Sequence, residues 1–123
     1  MAEHYSSFRR GSLAWLLQRV TAAFLIVVLA FHFLQLHFIE HAWEIDFDGT
    51  QDRMGNVGYF LTMVLFLIAA AFHGLNGVYN ALVNQGLDGR AKTVVLAVLS
   101  LAGIALVAQG IIVALVMAGW VSV

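Results

Sequence analysis

His73 is the residue in this chain best placed to do chemistry. It lies in the stretch Ala69-Ala70-Ala71-Phe72-His73-Gly74-Leu75-Asn76-Gly77-Val78-Tyr79-Asn80, an imidazole within an apolar run long enough to cross a membrane. At bilayer depth a polar group costs roughly several kcal/mol unless it is paired or bound, so an intramembrane histidine points to a site with a partner. Gly74 and Gly77 follow it and, having no side chains, clear a flat patch of backbone beside the ring. One neutral imidazole nitrogen, small neighbours and an apolar surround are what a planar macrocycle held through its metal requires. The same residues also fit a plainer arrangement: a histidine hydrogen-bonded to a neighbouring helix, with Gly74 and Gly77 allowing close helix packing.

The remaining candidates are fewer and more ambiguous. His32 and His37 lie in the first apolar run, and a step of five residues turns one about 140° from the other, so they cannot share a ligand face. His32 is the deeper and is preferred as a ligand, because His37 is near enough to water to be hydrated. His4 and His41 read as solvated. Arg19 is close enough to an interface to snorkel, yet with Ser12 and Trp15 on roughly the same side of the helix it could also contact an anion or a carbonyl, such as a quinone carbonyl or a haem propionate. Tyr79 and Asn80 fall at the same level, as pocket residues or as interface anchors. Asp46-Phe47-Asp48-Gly49-Thr50-Gln51-Asp52 has neither the full spacing nor the terminal Glu of a calcium loop.

Positioning these groups falls to membrane helices. The 123 residues are 62% hydrophobic and only 11% charged, a balance outside the range of soluble domains, so the chain reads as one all-α integral membrane domain. Cysteine is absent, which excludes a disulfide framework, a thiolate metal site and covalent haem attachment. The net charge of −1 favours neither nucleic acid nor an anionic surface as partner. Three transmembrane helices are predicted over about 13–38, 57–83 and 93–118, packed as a three-helix bundle. The first is too long for the apolar core of a secretory signal, and no small-residue cleavage site ends it. Glu40, Glu44, Asp46, Asp48 and Asp52, with Gly49 and Gly55, mark a water-exposed acidic connection; Asn84 to Arg90 form the second turn.

Basic residues orient the spans. Arg9, Arg10, Arg19, Arg90 and Lys92 lie at the start and in the second turn, and Arg53 alone lies in the acidic connection. The N-terminus and second turn are therefore expected inside, the first connection and C-terminus outside. On that orientation His73 is roughly 15 Å from the inner end of its span, whereas His32 is roughly 28 Å along the first span and in the outer half. Axial ligation brings two nitrogens within about 4 Å, twice a metal–nitrogen bond of ~2.0 Å, so each histidine would need a partner ligand from another chain.

The elements Trp15-Leu16-Leu17-Gln18-Arg19-Val20-Thr21-Ala22 and His73-Gly74-x-x-Gly77-Val78-Tyr79, followed by a third plain span, resemble the cytochrome b membrane anchor subunits of succinate dehydrogenase, the complex II family. The likeness runs over nearly the whole chain, more to the D-type than the C-type anchor and to archaeal and bacterial members. It implies a chain without succinate chemistry of its own, in the cytoplasmic membrane beside a second membrane anchor subunit, with an iron–sulfur subunit and a flavoprotein subunit docked on the inner face. It further implies haem b between the anchors, with His73 as an axial ligand beside Gly74 and Gly77. A quinone site is implied where the anchors meet the iron–sulfur subunit, for which Ser12, Arg19 and Tyr79 are the candidates. In two-haem members a first-helix histidine serves the outer haem, which matches the depth of His32, and two haems are expected here. Familiar D-type chains carry an Asp-Tyr pair about three turns after the ligand histidine, where this chain has Asn84 and Gln85, so the tyrosyl contribution to quinone binding is not carried over. A cofactor-free structural or transport-associated bundle is the competing function, and a Soret band separates the two.

Overall fold

A computed structural model describes residues 12–122, all helices and short connections; His4, Arg9 and Arg10 lie outside the described residues. Helix α1, Leu13–Leu34, starts where the Ser12 hydroxyl accepts from the Trp15 amide at 3.2 Å, a Ser N-cap on an apolar run without Gly or Pro. It continues into a π-helical turn over Gln35–Ile39, closed by Glu40 N donating to Gln35 O at 2.9 Å. Together they make a 27-residue apolar span, Leu13–Ile39.

The acidic connection is more ordered than an open loop. A 3₁₀ turn at Ala42–Glu44 follows His41, whose φ of 53° marks the chain reversal. Helix α2 then covers Phe47–Gly55, with Asp46 Oδ1 accepting from Gly49 N at 2.8 Å, so Asp46 is a helix cap. Asp48 lies in its first turn and Arg53 in its last, each placed to complement the helix dipole. Arg53 also reaches back to Glu40 at 3.6 Å, tying α2 to the end of the first span. Although too polar to enter the membrane, α2 packs across the start of α3 and the end of α4.

Helix α3, Val57–Asn84, begins with Asn56 Oδ1 accepting from Tyr59 N at 3.0 Å. It ends in a Schellman motif, Leu87 N to Leu82 O at 3.1 Å and Gly86 N to Val83 O at 3.0 Å, made possible by Gly86 at φ 101°. Helix α4, Gly89–Met117, closes the same way at Gly119, and Trp120 at the end of that motif packs on Phe60 with ring centroids 4.6 Å apart. α4 starts four residues before the expected span at 93, because Arg90, Ala91 and Lys92 are good helix formers and wind into the first turn although hydropathy marks them as loop.

The bundle is a row. α3 packs against both α1 and α4, which form no packed interface with each other among the described residues. At 100° per residue, Phe60, Leu67, Ala71 and Leu75 fall on one side of α3, while Tyr59, His73, Gly77 and Asn80 fall on the opposite side, toward α1. The α3–α4 seam depends on small residues: a Cβ on Gly103 would run into Leu75, and one on Gly110 into Leu67. Much of the rest is apolar and uncovered, Ile26 and Ile104 among it, as expected of surfaces that meet lipid or other helices.

Gly103→Leu is therefore expected to cost about 1–3 kcal/mol through overpacking. It should lower the thermal midpoint of the purified assembly, whereas Gly103→Ala, which displaces only the far end of Leu75, costs less. An unchanged midpoint for the Leu variant would show that the two helices are not so close there.

Candidate functional site

His73 is half-buried in the α1–α3 seam and is held by α1. Its Nδ1 lies 3.2 Å from Thr21 Oγ1. The Thr21 hydroxyl lies 2.7 Å from Leu17 O and 3.2 Å from Gln18 O, carbonyls that can only accept, so its single proton points back along α1. What it turns toward His73 is a lone pair. Nδ1 therefore carries the ring proton and donates to Thr21, leaving Nε2 with its lone pair, the tautomer that binds a metal. The hydrogen bond to a neighbouring helix and a ligand role do not compete, since they use different nitrogens.

A polar ladder continues from this point. Gln18 Nε2 donates to His73 O at 3.2 Å, and Asn76 Nδ2 donates to Gln18 Oε1 at 2.8 Å. Asn80, buried at 5% exposure, donates to Asn76 O at 2.6 Å. Gln18 and Thr21 were legible as polar residues in an apolar run, and His73, Asn76 and Asn80 recur at helical spacing. What the sequence does not display is that they face one another, because that depends on how far α1 slides along α3.

The two glycines differ. A Cβ on Gly74 would meet nothing within 4 Å, so the backbone beside His73 is open. One on Gly77 would lie 3.7 Å from Gln18 Nε2, so Gly77 serves the approach of α1. Arg19 stacks its guanidinium 4.5 Å from the centre of the Trp15 ring, and Ser12 caps the same turn. With α1 antiparallel to α3, the helical register puts Ser12, Trp15 and Arg19 on the same side of the row as Gly74. Tyr79 opens to the other side, into a groove between α3 and α4, and does not join that group.

His32 is at a different level. Its Nδ1 is 3.3 Å from the Tyr59 hydroxyl, and Tyr59 is roughly 21 Å along α3 from His73. The two imidazoles cannot reach one metal, as the depths in the sequence imply. His37 is exposed, donates Nδ1–H to Phe33 O at 3.1 Å and stacks on Phe33 at 4.2 Å. His41 is exposed and stacks on Trp43 at 5.1 Å. Among the described residues no three His, Cys, Asp or Glu side chains cluster to hold a metal ion.

Three membrane-length helices, with a histidine in the middle one oriented from its neighbour, define a small polytopic membrane protein. The chain belongs to the succinate dehydrogenase/fumarate reductase transmembrane subunit family, whose model matches residues 1–112. It is similar to the succinate dehydrogenase hydrophobic membrane anchor subunit of Archaeoglobus fulgidus, at 29% identity over 90 residues, covering 73% of this chain and 76% of that relative. No solved structure matches it.

The Gln18–Asn76 bond ties α1 to α3 without touching the ring of His73. A double-mutant cycle with Gln18→Leu and Asn76→Leu, read by thermal unfolding of the purified assembly, should give a coupling of about 0.6 kcal/mol and no more than ~1.7. Strict additivity would show that the two side chains do not meet.

Proposed function

We propose that this chain is the membrane anchor subunit of a succinate dehydrogenase, that its His73 Nε2 would be one of the ligands holding a haem b shared with a second anchor subunit, and that it helps form a quinone site. The observation that carries this reading is the bond from His73 Nδ1 to a Thr21 hydroxyl whose proton is already committed. The bond sets the tautomer before any ligand arrives. The residues fit the group: a lone-pair nitrogen, an open backbone at Gly74 and the cationic Arg19 on the same side, where an anionic propionate or a quinone carbonyl would find a donor. When bound, haem b supplies reversible one-electron transfer at membrane depth.

This chain's own residues bind and orient. Thr21 and Gln18 hold His73 at its ring and at its carbonyl. Ser12 Oγ accepts from the Trp15 amide and keeps a proton to donate, and Trp15 steers Arg19, so these residues are the quinone candidates. Tyr79 opens to the far side of the row and is not among them. The proposed orientation has the N-terminus and the α3–α4 turn inside, beside the iron–sulfur and flavoprotein subunits, in the cytoplasmic membrane. Arg90 and Lys92 support it, and Arg53, paired with Glu40, does not oppose it. His32 is the residue that would hold a second, outer haem. The Tyr59 hydroxyl can accept as well as donate, which leaves a tautomer of His32 with Nε2 free.

His73→Ala is expected to remove the inner haem from the purified complex while all three spans still insert, because Ala suits a membrane helix. His32→Ala should remove one of two b-type redox transitions, and His37→Ala neither. Pyridine haemochrome and potentiometric titration read both. A normal haem content in His73→Ala would overturn the ligand assignment, and one transition indifferent to His32→Ala would leave His73 as the sole ligand.

A further inference from the structure

On the far side of α3 from Gly74, α3 and α4 enclose a groove of about 620 Å³, within the range of small-ligand sites. Phe72 and Tyr79 of α3, and Leu96 and Ser100 of α4, are among its lining residues, and so are Ile68 and Ile111 at its deep end. Gly74 is turned about 140–200° around α3 from Phe72 and Tyr79, so the groove is separate from the proposed haem and quinone positions. Close approach of the two helices at Gly103, against Leu75, sets its floor.

The lining is graded. Asn76, Tyr79 and Ser100 lie in the half near the α3–α4 turn, while Ile68, Val107 and Ile111 lie in the other. From Tyr79 to Ile68 the groove runs roughly 16 Å along α3, and from Leu96 to Ile111 roughly 22 Å along α4, so it stops short of a ~30 Å hydrocarbon core. A transmembrane helix of a partner would need the whole thickness. Lys92 sits one turn before Leu96 on the same face of α4, beyond the polar end of the groove. It is half-buried and makes no ion pair among the described residues. Arg90 adds a second cation to the turn, against the single carboxylate of Asp88.

We propose that this groove binds one acyl chain of an anionic phospholipid, with the headgroup phosphate held by the Lys92 ammonium. An apolar slot that stops within the hydrocarbon core, polar toward the interface and ending at an unpaired cation, matches such a lipid at both ends. A zwitterionic lipid would fill the slot but bring its own cation to a turn that already carries Arg90 and Lys92, and basic side chains beside membrane-embedded clefts are a recurring site for acidic headgroups.

The test is native mass spectrometry of the purified, delipidated complex titrated with phosphatidylglycerol or phosphatidylcholine. Phosphatidylglycerol should bind about five-fold more tightly, the equivalent of ~1 kcal/mol for one basic side chain near the surface. Lys92→Gln should abolish the preference and Lys92→Arg keep it. Ala108→Phe, which fills the groove, should lose both lipids at unchanged haem content and thermal midpoint, and photoactivatable phosphatidylglycerol should label peptides within 96–111. Equal binding of the two lipids, a preference indifferent to Lys92→Gln, or labelling that falls elsewhere would overturn the proposal. So would a quinone or a partner helix recovered from the groove. None of these readouts depends on His73, so they fail or succeed independently of the haem assignment.

Discussion

An imidazole N–H in hydrocarbon must find an acceptor, and much of this chain follows from that requirement. His73 finds one in Thr21, 3.2 Å away on the neighbouring span. The bond fixes how far α1 slides along α3, and Gln18 locks the same register by reaching the His73 carbonyl and the Asn76 amide. Gly77 admits Gln18 at that level. Because the hydroxyl that accepts from Nδ1 is itself committed to Leu17 O, the ring is held in one tautomer as well as one orientation.

The two seams of α3 are built by different physics. Toward α1 the contact is a set of interhelical hydrogen bonds, individually modest in a membrane and specific in register. Toward α4 it is close packing over Gly103 and Gly110. A row of three helices leaves two broad faces. One presents Gly74 and Arg19, and the other presents the α3–α4 groove. A subunit of this family works inside a larger membrane assembly, and faces with distinct chemistry let it meet different neighbours.

The sequence carried the spans and their order plainly, because runs of this length and apolarity have few other uses. It also carried His73, whose presence at depth calls for a partner. It did not carry α2, which is too polar and short to show periodicity and forms around the Asp46 cap, nor the true start of α4, where helix-forming charged residues look like a loop. Ser12 and Arg19 were grouped by a shared side of one helix, and Tyr79 was added to them by depth alone. Depth follows from counting residues, whereas the side of the row on which each residue emerges depends on packing, and packing puts Tyr79 in the groove with α4. Thr21 was the largest omission: a lone threonine in a membrane helix reads as neutral until its distance to a ring nitrogen is known.

The role proposed for Thr21 is the point on which the haem assignment turns, and potentiometric titration of the inner haem in Thr21→Val and Thr21→Ser complexes tests it directly. Losing the acceptor from Nδ1–H makes the imidazole a poorer donor to ferric iron, so Thr21→Val should raise the midpoint potential while Thr21→Ser, which keeps the hydroxyl, leaves it near that of the parent. A potential unchanged in Thr21→Val would contradict the account.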